Sequence, residues 1–313
     1  MSFMNKFTDA WILAQRSSKN VVSHHRPYQV IFEKECTGRG TVAEVLTIFL
    51  TNKECPFRCL MCDLWKNTTD YRVSEGAIPE QISWALDNYP PAPLLKLYNS
   101  GNFFDVQAIP TEDYKSIARL ISAFERVTVE CHPKLVNSRC LQFRDLLPGQ
   151  LEVAMGLETV HSEILHLLNK HMTLVDFDRT TAYLVQNQIQ VRAFILLRPP
   201  FLDEEEGIFW AKQSIDFAFN CGVTCCVIIP TRSGNGAMDY LKKQGWFHPP
   251  QIHSLEKVLA YGIQKNQGLV LADLWDLKYF SSCEHCYEKR AQRLEQMNLT
   301  QVVPSPVHCE YCD

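Results

Sequence analysis

The feature that most constrains the fold is a regular alternation of short apolar runs with longer amphipathic segments. Apolar runs rich in β-branched residues lie at 42–51, 94–100, 126–131, 151–158, 191–197 and 223–230, with a possible seventh at 268–274. Helix-like segments lie between them at 77–89, 111–124, 161–187, 203–221 and 251–266. Six strand–helix repeats predict an α/β protein with a parallel sheet and helices outside it. The pattern alone does not decide whether the sheet closes fully or stays a partial barrel.

Polar residues follow the end of each predicted strand. In parallel α/β folds the reactive groups lie on loops beyond the carboxyl ends of the strands, so these positions form the candidate site. They are Cys55, Cys59 and Cys62 after the first strand, Asn99, Ser100, Gly101 and Asn102 after the second, Glu130, Glu158 and Arg198 at the next three, and 231–235 after the sixth. Six strand ends are therefore predicted to meet around one polar site.

The three cysteines after the first strand have gaps of three and two residues, in "CPFRCLMC". Three thiolates on one loop can hold three irons of a 4Fe-4S cluster, which leaves the fourth iron open for a ligand from outside the protein. A zinc site completed by a distant His or Cys, and purely structural cysteines, are the alternatives. Zinc sites usually pair two Cys-x2-Cys units, so this spacing favours the open cluster.

A second group of cysteines lies near the end of the chain, as "CEHC" and "CEYC". Its members, Cys283, Cys286, Cys309 and Cys312, supply four thiolates, which suit a closed tetrahedral zinc site or a second, closed iron–sulfur cluster. Unrelated cysteines are the third alternative. The stretch between the two pairs, 287–303, is predicted to be a basic helix followed by a short strand. Pinned by zinc, such a helix is a plausible docking element for a nucleic-acid backbone.

Charge and hydropathy add few constraints. The formal net charge is −4 and the sequence pI is near 6.2, so nothing in the whole-chain charge indicates a polyanionic partner. No apolar run is long enough to cross a bilayer, and the polar start lacks a signal-peptide pattern, so we expect a cytoplasmic protein without a membrane partner. In a reducing compartment, clustered cysteines favour metal over disulfides. The expected organisation is an N-terminal extension at 1–41, a barrel at 42–275 and a Cys-rich metal-binding extension at 276–313.

The Cys-x3-Cys-x2-Cys motif after the first strand resembles the signature of the radical S-adenosylmethionine (SAM) enzymes. In that superfamily the open iron chelates the amino and carboxylate groups of SAM, and an electron from the cluster cleaves SAM to a 5′-deoxyadenosyl radical. The resemblance covers about 42–275. It implies a partial (β/α)6 TIM-like barrel, a 4Fe-4S cluster, SAM, and a one-electron donor such as flavodoxin or ferredoxin.

Further motifs extend the resemblance and imply roles for single residues. "YNSGN" (98–102) takes the place of the glycine-rich motif that holds SAM's methionyl amino group. "VECHP" (129–133) is similar to the Glu-x-x-Pro of the subgroup that includes the Elongator catalytic subunit and oxygen-independent coproporphyrinogen oxidase. "GLETVHSEILHLLNKHMT" (156–173) resembles that subgroup's fourth-strand segment. The implied cofactor contacts are Met61 near adenine, Asn99, Ser100, Gly101 and Asn102 at the amino group, Glu130, Glu158 at the carboxylate or ribose, and Arg198. Cys131 is the candidate hydrogen-atom donor.

Within the superfamily, "CLMCDLW", "KLYNSGNFFD" and "RPPFLDEEEG" look most like the archaeosine-forming enzymes and their bacterial relatives. In the archaeal enzymes a lysine adduct on a 7-deazaguanine base in tRNA is cleaved by radical chemistry. The implied substrate is therefore a 7-deazaguanine-type nucleoside or tRNA. Two alternatives remain: radical chemistry on a small metabolite with an auxiliary iron–sulfur cluster in the tail, and a non-catalytic zinc-binding interaction protein.

Overall fold

The central feature of the protein is one sheet of eight strands that follow each other in chain order. The computed structural model describes residues 6–312. The strands are β1 (Gln29–Gly38), β2 (Thr41–Phe49), β3 (Leu94–Tyr98), β4 (Arg126–Glu130), β5 (Gln150–Glu158), β6 (Gln190–Leu197), β7 (Cys225–Pro230) and β8 (Leu269–Ala272). Strands β2 to β8 are parallel, while β1 is antiparallel to β2. The predicted α/β class and all seven predicted strands are confirmed, and β1 was not predicted.

The helices cover the outside of this sheet. They are α1 (Asp9–Ala14), α2 (Ala77–Asn88), α3 (Tyr114–Leu120), α4 (Ser138–Arg144), α5 (Ser162–Leu167), α6 (Leu174–Gln186), α7 (Glu204–Asn220), α8 (Ala237–Lys243), α9 (Ile252–Lys265) and α10 (Glu284–Thr300). The segment predicted as one helix at 161–187 is two, because Asn169 and His171 have positive φ angles that interrupt it. Capping boxes at Thr173 and Asp203 start α6 and α7. No helix within 6–312 is both long enough and apolar enough to cross a bilayer.

The interior of the barrel contains a buried ionic network. Glu35 of β1 receives two hydrogen bonds from Arg192 of β6, at 2.7 and 3.0 Å, and its carboxylate lies 2.5 Å from the Lys96 ammonium of β3. Arg192 also donates to Glu152 of β5 at 2.9 Å. Although burial acts in the opposite direction, Arg192 and Lys96 hold the pKa of Glu35 well below its usual range. The Glu35 side chain of β1 therefore lies inside the barrel and contacts β6 on its opposite side.

Helix α10 covers the seam between β8 and β1. The Asn298 side chain accepts from the Ala272 N–H and donates to its carbonyl, both at 2.8 Å. Gln301, just past the end of α10, does the same for Val270 at 3.0 and 2.9 Å. Two side-chain amides therefore satisfy β8 backbone groups as a neighbouring strand would. The eight-stranded sheet is thus a nearly closed barrel, with α10 against its last edge and against β1.

The tail differs from its prediction in two ways. The residues after α10, 302–309, form no regular structure, so the expected short strand is absent. The basic side chains Arg290 and Arg293 are buried, and both donate to the Glu256 carboxylate of α9. These arginines fix α10 to α9, so of the basic residues in 287–303 only Lys289 is exposed, which argues against α10 as a docking element for a nucleic-acid backbone.

Candidate active site and metal centre

The predicted cysteine triad lies on the loop that follows β2, here called the cysteine loop (55–62). Two asparagines hold its backbone from opposite sides. The Asn169 side chain donates to the Arg58 carbonyl at 2.8 Å. The Asn235 side chain donates to the carbonyls of Leu60 at 2.8 Å and Cys62 at 3.0 Å. The loop is therefore fixed in place by the segments after β5 and β7.

The thiols of the cysteine loop lie in a partly closed environment. Cys59 is buried, and Cys55 and Cys62 are half-buried. Burial raises the pKa of Cys59 to about 12. Iron–sulfur ligation requires the thiolate, so metal binding here would release protons from these thiols. Three such thiols match the donor set of an open 4Fe-4S cluster.

The loop after β3, with the sequence Asn-Ser-Gly-Asn, lies against the cysteine loop. The Glu130 carboxylate, at the end of β4, accepts hydrogen bonds from the backbone N–H groups of Asn99 at 2.7 Å and Gly101 at 3.1 Å. A Cβ at Gly101 would lie 3.3 Å from the Cys55 Cβ, which is why the smallest residue suits this position. Burial raises the pKa of Glu130 to about 7, against the effect of these donors. Glu130 thus holds the loop through its backbone.

Two asparagine side chains of the same loop have environments that suit a bound ligand. Asn102 donates to the Cys55 sulfur at 3.1 Å and accepts from the His132 N–H at 2.6 Å. Asn99 is fully buried, and neither its amide nitrogen nor its amide oxygen has a hydrogen-bond partner within residues 6–312. Buried amides are nearly always paired, so an unpaired one on the loop that lies against the cysteine loop fits a polar ligand such as the amino acid part of SAM.

Glu158, at the end of β5, forms a buried ion pair with Lys170. Their oxygen and nitrogen are 2.6 Å apart. Although burial alone would lower the pKa of Lys170, the Glu158 carboxylate raises it above its usual value, and the thiols of Cys59 and Cys55 act in the same direction. A Cβ at Gly156 would overlap both charged groups, so this glycine makes room for the pair. A positive charge therefore lies beside two of the predicted cluster ligands.

Three of the non-glycine strand-end candidate residues have positive φ angles. Positive φ angles occur at Ser100 (52°), Glu158 (66°) and Arg198 (53°), after or at the ends of β3, β5 and β6. Non-glycine residues adopt this region rarely, and such residues cluster at functional sites. The strand ends singled out from the sequence are therefore distinct in conformation as well as in polarity.

Three other predicted residues make mainly structural contacts. Met61 is half-buried and packs in the small apolar cluster around Leu60 and Phe7. The Arg198 guanidinium donates to Glu204 and to the carbonyl of Pro249, which lies just before α9. Cys131 is 3% exposed and lies in the main hydrophobic core, next to Glu130.

Sequence reasoning placed Asn235 in the candidate segment 231–235 but missed three other residues that build the site: Lys170, His132 and Asn169. All three occur inside stretches that were singled out for other residues. Lys170 and Asn169 belong to "LNKH", and His132 follows Glu130 in "ECHP". A polar residue next to a recognised motif was the available signal, but the contact of Asn169 with a loop about 110 residues away could not be read from the sequence.

The tail cysteines form a compact group. The four sulfurs of Cys283, Cys286, Cys309 and Cys312 lie within 4.8 Å of one another, with separations of 3.8 and 3.6 Å for two pairs. Four thiolates at 2.3 Å from one zinc ion would be about 3.8 Å apart, the edge of a tetrahedron. Ligands of a cubic cluster each bind a different iron and are farther apart. Although burial acts in the opposite direction, backbone N–H groups of Cys286 and His285 lower the pKa of Cys283 to about 7.

The chain is similar in sequence to archaeal proteins. No protein-family model matches the chain. An uncharacterized protein of Methanocaldococcus jannaschii is 22% identical over 305 residues, which cover 90% of this chain and 84% of that protein. Archaeosine synthase subunit beta of Methanosarcina acetivorans is 24% identical over 280 residues, which cover 84% of this chain and 80% of the subunit.

A solved structure decides the fold. Elp3 from Methanocaldococcus infernus, of the Elongator subgroup named above, matches with a TM-score of 0.52 and 16% identity over 71% of this chain and 58% of the Elp3 chain. The chain has the fold of Elp3. The predicted partial TIM-like barrel is confirmed, and Elp3 belongs to the subgroup that the sequence motifs resemble. The matched region covers less than two thirds of the Elp3 chain, so the match shows a shared fold and not a shared activity or partner.

Proposed function

We propose that this protein is a radical SAM enzyme whose 4Fe-4S cluster is held by Cys55, Cys59 and Cys62. The observation that carries the proposal is the arrangement around the cysteine loop. Two asparagines fix its backbone, Asn102 donates to a cysteine sulfur, and the Asn99 amide is buried without a partner among residues 6–312. A structural zinc site would not require an unpaired buried amide beside it.

The residues of the barrel mouth have distinct roles in this proposal. When bound, the cluster and SAM supply a 5′-deoxyadenosyl radical, which abstracts a hydrogen atom from the substrate. Asn99 binds the amino acid part of SAM, and Glu130 keeps the loop that carries Asn99 in place. Lys170 and Glu158 keep one positive and one negative charge beside the cluster without exposing either to water. The protein thus contributes alignment and exclusion of water.

The substrate that the relatives favour is a 7-deazaguanine-type nucleoside in tRNA. Two curated relatives, from Methanosarcina acetivorans and Thermococcus kodakarensis, are named archaeosine synthase subunit beta. The motifs quoted from the sequence point to the same group. We propose archaeosine-type chemistry, with a one-electron donor such as flavodoxin or ferredoxin and a cytoplasmic location.

We further propose that the tail holds zinc. The sulfur separations of 3.8 and 3.6 Å support a single tetrahedral ion over an auxiliary cluster. This weakens the alternative of a small-metabolite enzyme with an auxiliary cluster. The Cys131 thiol, buried in the core, is a poor hydrogen-atom donor unless the β4 end rearranges.

The test is anaerobic reconstitution with iron and sulfide, reduction with dithionite, and quantification of 5′-deoxyadenosine from added SAM. We expect about four irons and one zinc per chain, and 5′-deoxyadenosine from the unaltered protein. Cys59→Ala should abolish it, while Cys221→Ala, a half-buried cysteine outside both groups, should not. Product from the Cys59→Ala protein, or none from the unaltered one, would overturn the proposal. About eight irons would instead favour the auxiliary cluster.

A further inference from the structure

One side of the barrel mouth presents exposed aromatic rings among lysines. This surface, here called the rim, consists of Lys66, Arg232, Lys242, Trp275, Lys278 and Tyr279. It is built by the loops after β7 and β8, the first residues after the cysteine loop, and α8. Trp275 is 61% exposed and Tyr279 is 40% exposed, which is unusual for large aromatic side chains.

The rim begins beside the cysteine loop. Lys66 lies four residues after Cys62, and its ammonium donates to the Gly234 carbonyl at 2.5 Å. The next residue, Asn235, holds the Cys62 carbonyl at 3.0 Å. A molecule that lies on the rim would therefore be next to the predicted cluster.

The exposed rings are held on a fixed backbone. The Trp275 N–H donates to Asp273 at 2.9 Å, and Arg232 donates to the Trp275 carbonyl and to Asp273. The Tyr279 hydroxyl contacts Lys242 at 3.2 Å and Ser233 at 2.8 Å. An ordered ring loses little conformational entropy when a planar partner stacks on it.

The charge of the rim differs from that of the chain. Lys242 and Lys278 are exposed, and Lys66 is half-buried. Of the nearby carboxylates, Asp273 is paired with Arg232 at 2.8 Å and Asp239 accepts from a backbone N–H at 2.8 Å. A third, Asp276, is exposed between Trp275 and Lys278. The four cations of the rim outnumber these three carboxylates, whereas the whole chain has a net charge of −4. Exposed positions of α10, by contrast, include Glu284, Glu288 and Glu295.

We infer that the rim docks a single-stranded segment of RNA, with a base stacked on Trp275 and phosphates near Lys242 and Lys278. Stacking on aromatic rings combined with lysine contacts to phosphates is how proteins bind single strands. An acidic polypeptide would use the lysines but would gain little from a flat exposed indole. The inference rests on the proposed function, because it adds to the proposed tRNA substrate the surface on which a single-stranded segment binds beside the cysteine loop.

The test is the affinity of the full chain for a fluorescein-labelled tRNA transcript and for a labelled single-stranded RNA, measured by anisotropy across KCl concentrations. Trp275→Ala should weaken binding about 5- to 150-fold, and Trp275→Phe should recover part of the loss. Lys242→Ala and Lys278→Ala should each reduce the slope of log affinity against log salt by about 0.7. The matched controls are Phe209→Ala, an exposed ring on α7, and Lys289→Ala, an exposed lysine on α10.

Equal losses in the rim variants and in the controls would overturn the inference. So would competition by poly-glutamate as effective as competition by RNA, since that would indicate an acidic polypeptide. The same samples are assayed for 5′-deoxyadenosine in the absence of RNA. Loss of SAM cleavage with rim-dependent RNA binding would refute the proposed function alone, whereas normal cleavage without rim-dependent binding would refute this inference alone.

Discussion

At the scale of single residues, the contact between Asn102 and Cys55 has a measurable consequence. Its amide N–H donates to the sulfur at 3.1 Å, and such hydrogen bonds raise the reduction potential of an iron–sulfur cluster. Asn102→Ala should therefore lower the potential, by an amount on the order of tens of millivolts, in a redox titration followed by electron paramagnetic resonance. Asn67→Ala, whose side chain pairs with Asn20 away from the cysteines, is the control. An unchanged or higher potential would contradict the assignment.

Glu130 gives a prediction in pH. Its pKa is about 7 in the folded protein against 4.5 ordinarily, because burial disfavours the charged form. Below pH 4.5 the group is protonated in both states, and the folded state loses stability as pH rises toward 7, by up to about 3 kcal/mol. Glu130→Gln keeps an acceptor for the N–H groups of Asn99 and Gly101 and removes the titration.

The free energy of unfolding of the two proteins, measured by urea denaturation from pH 4.5 to 7.5, tests this. The difference between the Gln variant and the unaltered protein should shift in favour of the variant as pH rises. A difference that is constant over this range would show that Glu130 has an ordinary pKa.

The site residues with a recognisable type and spacing could be predicted from the sequence. The triad and the Asn-Ser-Gly-Asn segment lie where strand-end reasoning puts them. Lys170 and Asn169 were not, because the role of each depends on a partner elsewhere in the chain: Glu158 across a positive-φ turn for Lys170, and the cysteine loop for Asn169. Arg198 and Cys131 have the right residue types, but their side chains contact other groups.

At the scale of elements, strand β1 shows why one part of the fold could not be predicted. Its glutamates, Glu33 and Glu35, give it the pattern of a solvated segment. In the structure Glu35 is buried because Lys96 and Arg192, on strands far along the chain, lie opposite it inside the barrel. The charge pattern had meaning only once three strands were brought together.

The same network predicts a large effect of one substitution. Arg192→Met would remove the guanidinium that pairs with the buried carboxylates of Glu35 and Glu152. Removing one partner of a buried ion pair typically costs about 3–5 kcal/mol of stability. Urea denaturation should show this loss, whereas Arg179→Met, an exposed arginine on α6, should change the free energy of unfolding by less than about 0.5 kcal/mol. A loss below 1 kcal/mol for Arg192→Met would mean that water reaches the network.

Helix α10 was predicted as an element, but the burial of its charged side chains was not. Its sequence is basic, which predicts a polar helix with solvated side chains, yet Arg290 and Arg293 donate to Glu256, and Arg293 also donates to the Ser305 carbonyl. Periodicity could not reveal this, since the helix is long and polar with only a few apolar positions. Its polar residues Asn298 and Gln301 are there to satisfy a strand edge.

At the scale of the whole molecule, helix α10 connects the tail cysteines to the seam between β8 and β1. The first turn of α10 is at the tetrathiolate group, where Arg290 also donates to the Cys286 sulfur at 3.3 Å. Its last turn is fixed to β8, and Arg293 donates to the carbonyls of Pro304 and Ser305 at 3.0 Å, which returns the chain toward Cys309. A metal at the four sulfurs therefore closes a loop that holds α10 over the seam. The tail thus has a structural role that is separate from the cysteine loop.

Loss of that metal should open the seam without emptying the first site. We expect Cys309→Ser to remove zinc, to lower the free energy of unfolding by about 2 kcal/mol or more, and to lower Tm by roughly 4–8 °C. Amide hydrogen exchange should rise in β8 and β1, because the Val270 and Ala272 backbone groups would lose their side-chain partners. The iron content of the reconstituted cysteine loop should stay the same, since the tail sulfurs contact one another and Arg290 of α10. Cys221→Ser serves as the control, and a joint loss of iron and zinc would show instead that the two centres depend on each other.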